Sequence, residues 1–362
     1  MDFNGSNITN EYEYYVGYPM PVYLQVPDNY EIALYCTFFI LIVVGNVWVI
    51  VAIIRQPKLR KSATNMFIVS LSLSDILVAV FQIPYLMFFQ LIPDVFVALN
   101  DNIFVCRTFA WMQWTARCVT INSLIGVAID RFRAIVQPLK PKVTRTQATV
   151  IITCIWVISL GYSLRKPILL HMYEYTFNNV TQKWCMVPFE YHDIANKFHL
   201  VDFFVMFLLP LVLLCIMYVI MIKSLWSKKG PSNASNRGKQ KAIKMLTVVV
   251  ISFALTWLPY YMYSLYYEYT EYADIPWSIL RGIQVQHHFA TLAYISNSWT
   301  NPILYAYFNE NFRNELYRML PCLANCCKRN KVSPESRTRP VTLQKKREKR
   351  ELINVLSNAA FE

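Results

Sequence analysis

The chain has 362 residues, 55% of them hydrophobic and only 16% charged, with a net charge of +13. That is too apolar and too sparsely charged for an ordinary soluble chain of this size. The positive charge needs no nucleic acid to explain it, because 28 of the 35 Lys and Arg residues sit between or after apolar blocks on one side of a membrane topology.

Residues 1–30 carry no basic segment followed by an apolar one, so no cleavable signal peptide is expected. Sequons at Asn4 and Asn7 mark this stretch as a glycosylated outer segment. Apolar blocks follow at 32–54, 66–92, 103–129, 148–164, 198–222, 245–267 and 277–307. Each is close to the roughly 20 residues that cross a hydrocarbon core as a helix. Strands of a membrane barrel are about half as long and strictly alternating. The blocks therefore predict seven helices, the last with a polar outer end, "RGIQVQHH" (281–288).

The basic residues cluster at 55–61, 131–145, 223–244 and after 312. The positive-inside rule then places the N-terminus outside and the C-terminus in the cytoplasm. Among nine cysteines, Cys36, Cys118, Cys154 and Cys215 read as buried thiols within spans. Only Cys106 and Cys185 fall near the outer surface, where a disulfide persists, and they are expected to pair. The outer loop at 171–196 alternates like a β-hairpin around Asn178–Asn179, with Asn179 a third outer sequon. The inner loop at 223–244 reads as polar, basic and flexible. After Phe308, apolar residues recur every four positions through Leu320, an amphipathic helix on the membrane surface at 309–321. Cys322, Cys326 and Cys327 are palmitoylation candidates, and the tail at 322–362 reads as disordered. Residues 31–308 form the membrane domain of this all-α protein.

Charged and polar groups inside the blocks demand a partner or a purpose. Asp75 with Thr120, Asn46, Asn297 and Asn301 reads either as hydrogen-bonded glue between helices or as a small cation site. Prolines at 210, 259 and 302 each free a carbonyl and can bend a helix. The pair Asp130–Arg131 closes the third block.

These residues together resemble the rhodopsin-like (class A) G-protein-coupled receptors over roughly residues 30–320. The motifs occur in order: Gly45–Asn46, the L-S-x-S-D ending at Asp75, Cys106, Asp130–Arg131–Phe132, Trp156, Pro210 with Tyr218, Phe253 with Trp257-Leu258-Pro259, and Asn301-Pro302-Ile303-Leu304-Tyr305. Phe132 replaces the usual Tyr and Thr256 the usual Cys. The resemblance implies a seven-transmembrane bundle with an amphipathic eighth helix and a β-hairpin second extracellular loop. It implies that Asp130 holds Arg131 at rest, and that Tyr218, Tyr305, Asn301 and Pro302 belong to the switch that meets the G protein. Lys239 stands where some relatives carry an acid, so a second lock on Arg131 is not expected. An allosteric sodium ion at Asp75, Thr120, Asn297 and Asn301 is implied in the same way.

Gln113 stands where amine receptors carry an Asp, and Ile295 where opsins carry a Lys, which turns the reading away from both. The chain looks most like receptors of the neuropeptide FF, RFamide and orexin kind, although "NDNIFVC" (100–106) replaces their Trp-x-Phe-Gly. The pocket candidates are Gln113, Arg117, Asp202, Glu268, Trp257, Thr291 and Glu190. Arg117 either pairs internally with Asp202 or meets a ligand carboxylate or carbonyl. Fourteen acids in or near the outer surface outnumber basic residues such as Arg107, Lys183, Lys197 and Arg281 there, which favours a cationic peptide. Expected partners are an extracellular peptide, a heterotrimeric G protein, arrestin and receptor kinases at the tail, and lipid. A non-peptide ligand, or a transporter or channel, is the alternative. No nucleophile–base pair or metal-ligand spacing suggests an enzyme.

Overall fold

Helix starts are written into the sequence. Asn102 caps the helix Ile103–Val136, its side chain accepting from the Phe104 amide at 2.9 Å. Thr144 and Gln147 form a reciprocal capping box at the start of Arg145–Ser163. The computed structural model describes residues 29–91, 102–177, 180–227, 233–269 and 277–319. The sequons Asn4, Asn7 and Asn179 and the tail cysteines Cys322, Cys326 and Cys327 lie outside the described residues. So do the side chains of Lys239 and Glu268.

Span one is Asn29–Arg55. Span two runs Ala63–Leu77, a wide π turn Val78–Gln82, and Ile83–Leu91. Span three is Ile103–Val136, and span four is Arg145–Ser163, continued by the short helix Arg165–Leu169. Strands β1 (His171–Phe177) and β2 (Val180–Met186) pair antiparallel, from His171↔Met186 to Phe177↔Val180. Span five runs His192–Asp202, a second π turn Phe203–Leu208, and Leu209–Ser227. Span six is Asn233–Tyr269, span seven Trp277–Phe308, and the helix Glu310–Met319 follows. Span three packs against spans two, four and five, and span seven against spans six and one.

Among the described residues, five stretches are long and apolar enough to cross a membrane, in spans one, two, four, five and six. Spans three and seven are long enough, at 34 and 32 residues, but more polar. The reason lies in what faces outward. Val44, Val157, Ile158, Leu209 and Leu255 are exposed on the outside of the bundle, while Asp75, Ser74, Ser123, Ser163 and Asp202 are fully buried. Polar side chains inside and apolar ones outside are what a hydrocarbon solvent selects.

Four sequence expectations need correction. Span six begins at Asn233, so residues 233–244 are helix and not flexible loop; Ala, Lys, Gln and Arg there are good helix formers. Cys154 and Cys215 are exposed and Cys36 is half-buried, leaving Cys118 as the buried thiol. A small apolar thiol suits a lipid-facing position as well as a core one. A fourth proline, Pro84, disturbs a span: it has no N–H for the Val80 carbonyl, and the π turn sits where that bond is lost. The fourth correction concerns Arg117 and Asp202.

Close helix contact depends on two glycines. A Cβ on Gly126 would lie 2.7 Å from the Phe67 ring, and one on Gly45 would lie 3.1 Å from Pro302. Cys106 and Cys185 form a disulfide with Cα atoms 6.5 Å apart, tying β2 to the start of span three.

Candidate functional site

Gln82 ends the π turn of span two and is turned inward, 5% exposed. Tyr260 follows Pro259 on span six, and Tyr294 is buried on span seven. These three surround Arg117 of span three. Arg117 donates from Nε to the Tyr294 hydroxyl at 3.1 Å, from Nη1 to the Tyr260 hydroxyl, and from Nη2 to Gln82 Oε1 at 2.8 Å. Its guanidinium also lies over the rings of Trp114, Tyr260 and Tyr294 at 4.7, 4.8 and 4.7 Å. A buried cation is thus held by neutral groups from spans two, six and seven.

Asp202 does not pair with Arg117. It accepts from Arg165 Nη2 and from the Tyr162 hydroxyl at 2.8 Å, and Lys166 Nζ lies 3.5 Å away. The continuation of span four as Arg165–Leu169 carries these two cations to Asp202. Arg117 is left to the phenols. Gln113 is buried and donates to the Phe81 carbonyl at 3.4 Å. Thr291 is buried, while Glu190 is exposed in the turn Phe189–Tyr191.

From the phenols an aromatic chain descends. Tyr294 meets the edge of Trp257 at 4.9 Å, and Trp257 lies 5.5 Å from Phe253 and 6.0 Å from Tyr261. Phe207 of span five touches both Phe253 and Tyr261. The Trp257 indole N–H is buried without an acceptor.

Below this lies the polar centre. Asn301 Nδ2 donates to Asp75 Oδ2 at 3.2 Å, and Asp75 Oδ1 is buried with no partner. Ser74 and Thr120 hydroxyls are 2.9 Å apart. Asn46 donates to the carbonyls of Ile42 and Ser298, and its Oδ1 is also unpartnered. Asn297 is buried nearby in sequence on span seven.

At the far end of span three, Arg131 Nη2 lies 3.6 Å from Asp130 Oδ2. Thr64 of span two bridges the pair: its hydroxyl donates to Asp130 Oδ2 and accepts from Arg131 Nη2. Tyr218 and Tyr305 are buried, and Tyr305 stacks on Phe312 at 5.7 Å. Pro302 packs against Gly45.

Sequence reasoning missed Thr64, Gln82, Trp114, Tyr260, Tyr294, Arg165 and Lys166. The last two carried a usable signal, because a basic pair at the outer end of span four runs against the charge bias of the other loops. The others are residue types common in any span.

The sequence matches the pattern of the "7 transmembrane receptor (rhodopsin family)" over residues 45–305. It is 32% identical to neuropeptide FF receptor 2 of Mus musculus, over 83% of this chain and 74% of that protein. It is 29% identical to the QRFP-like peptide receptor of Branchiostoma floridae, over 92% of this chain and 88% of that one. It is also 29% identical to the allatostatin-A receptor of Bombyx mori, over 77% and 76%.

Proposed function

The chain belongs to the rhodopsin family of seven-transmembrane receptors, a family of receptors and not of enzymes, and from that premise we propose that it binds an extracellular neuropeptide and drives nucleotide exchange on a heterotrimeric G protein. The observation that carries this is the continuous aromatic path from the Arg117 phenols through Trp257 to Phe253. It links the buried polar cluster around Arg117 to the helix that bears Pro259. A peptide group that displaces Tyr260 or Tyr294 shifts Trp257, and span six moves with it.

In this reading the disulfide end faces outward, with Gln113, Thr291 and Glu190 on the approach to Arg117 and Trp257, and Glu268 is carried as a ligand contact on the sequence resemblance alone. The β1–β2 hairpin forms the lid, held by Cys106–Cys185. The Asp130 end faces the cytoplasm. Asp130 and Thr64 keep Arg131 available, and Tyr218, Asn301, Pro302 and Tyr305 complete the switch. The helix Glu310–Met319 lies on the inner membrane surface, with lipidated Cys322, Cys326 and Cys327 as anchors. Arrestin and receptor kinases engage the tail. Glycans occupy Asn4, Asn7 and Asn179. The unpartnered Asp75 and Asn46 oxygens are acceptors in a dry interior and fit a sodium ion held by Asp75, Thr120, Asn297 and Asn301. Bound there, sodium would neutralise Asp75.

The test is nucleotide exchange on purified G protein by the reconstituted receptor, with a panel of free-acid and amidated peptides. Stimulation by a peptide supports the reading. Exchange that no peptide raises, with substrate flux or ion current in the same vesicles, would overturn it.

A further inference from the structure

Three cations meet one indole ring near the disulfide end of the core. Arg117, Arg165 and Lys166 lie over Trp114 at 4.7, 5.7 and 4.2 Å from the ring centre. Among the described residues the one carboxylate in contact with them is Asp202, on Arg165 and Lys166. Arginine stays charged inside proteins, so Arg117 and Arg165 alone exceed Asp202 by one charge. Lys166 adds to that excess. Such an excess in a low-dielectric interior attracts an anion far more strongly than it would in water.

The unpartnered polar atoms point the same way. Arg117 uses three of its five N–H groups, which leaves two. Arg165 Nε is a buried donor without an acceptor, and the hydroxyl of Tyr261, next to Tyr260, is unpartnered too. The orphan acceptor among this group is Asp202 Oδ2, which Lys166 already faces. The cluster is also within reach: the side chain of Lys166 is 11% exposed and Trp114 is half-buried.

We propose that Arg117, Arg165, Lys166 and Trp114 form an anion site that takes a carboxylate of the peptide ligand, either its free C-terminus or an Asp or Glu side chain. This rests on the receptor reading above and gives the deep end of its pocket a chemistry. The excess of acids that the sequence assigns to the outer segments suits a basic segment of the same ligand, so the ligand would be dipolar.

The direct probe is iodide, which quenches indole fluorescence on contact, applied to the full-length receptor in nanodiscs at constant ionic strength. The expected result is a saturable quenching component that acetate displaces and caesium does not reproduce. It should vanish in Trp114→Phe, weaken at least tenfold in Arg117→Gln, and survive in Arg117→Lys. If Arg117→Gln fails to fold, Lys166→Gln should still weaken it about threefold. Quenching that is only linear in iodide, or a saturable component that neither charge-removing variant changes, would overturn the site. Peptides active in the exchange assay are then remade with an amidated C-terminus, or with Asn or Gln for each acid, to identify the carboxylate. Active peptides with linear iodide quenching would remove this inference alone. Saturable quenching with no peptide response would count against the receptor reading.

Discussion

Two arginines on the same helix are held in opposite ways. Arg117 is buried, with three hydrogen bonds to neutral partners on three other spans and three aromatic faces around it. The side chain of Arg131 is 32% exposed and rests on a 3.6 Å ion pair with its own neighbour, bridged by Thr64. Removing Arg117 from its cage would break contacts to three helices at once. Releasing Arg131 needs only a change of rotamer beside one carboxylate and one hydroxyl. The first suits a fixed recognition group and the second a group that must change partners.

The sharpest way to break this contrast is Arg131→Ala. Ligand binding should stay within a few fold, since Arg131 lies about 27 Å from Gln113 along span three at 1.5 Å per residue. Exchange on G protein should fall by about 100-fold or more, in line with an energy near 3 kcal/mol. Normal signalling by this variant would reduce Asp130–Arg131 to a helix-end cap.

Asp202→Asn is next. It strips the carboxylate from Arg165 and Lys166 in a buried setting, where losing one partner costs about 3–5 kcal/mol. Thermal unfolding in detergent should drop by several degrees, and a melting temperature within a degree of wild type would contradict the buried pairing. Asp75→Asn should then blunt the effect of sodium on agonist affinity, on the order of tenfold, with little loss of affinity in its absence. Equal sodium dependence in both proteins would make Asp75 structural glue only.

Asp130→Asn tests the releasable end. The pair is partly solvated, so stability should change by less than about 1 kcal/mol, while basal exchange rises a few fold because Arg131 loses its resting partner. Unchanged basal exchange would place the restraint on Thr64. The last test is Tyr260→Phe, which removes one of three hydrogen bonds to Arg117 and keeps the ring. The low end of the scale for a bond to a charged group is about 1.5 kcal/mol, or roughly tenfold in peptide potency. A loss beyond 100-fold would show that Tyr260 itself contacts the ligand.

The apolar blocks, the Cys106–Cys185 pair and the position of Asp130–Arg131 were legible because each depends on local composition or on which side of the membrane a loop lies. The helix ends were less so. Span three runs to Val136 and span six starts at Asn233, beyond the apolar blocks, because polar helix formers continue a helix outside lipid.

What the sequence by itself determined is the solvent, the family and the order of the spans, since a hydrocarbon environment is written in long apolar runs and the motifs are contiguous. What only the tertiary structure decided is who holds Arg117. A helical wheel at 3.6 residues per turn assumes an unbroken helix, but the π turns at Val78–Gln82 and Phe203–Leu208 each take an extra residue into a wider turn. They rotate the side chains beyond them, so that the partners a wheel assigns are not the ones that meet. The restart of span four at Arg165 then delivers two cations to Asp202. With that carboxylate taken by Arg165 and Lys166, the hydrogen-bond partners of Arg117 among the described residues are Gln82 and the two phenols. No periodicity in one chain encodes that competition, because its outcome depends on distances between helices far apart in sequence.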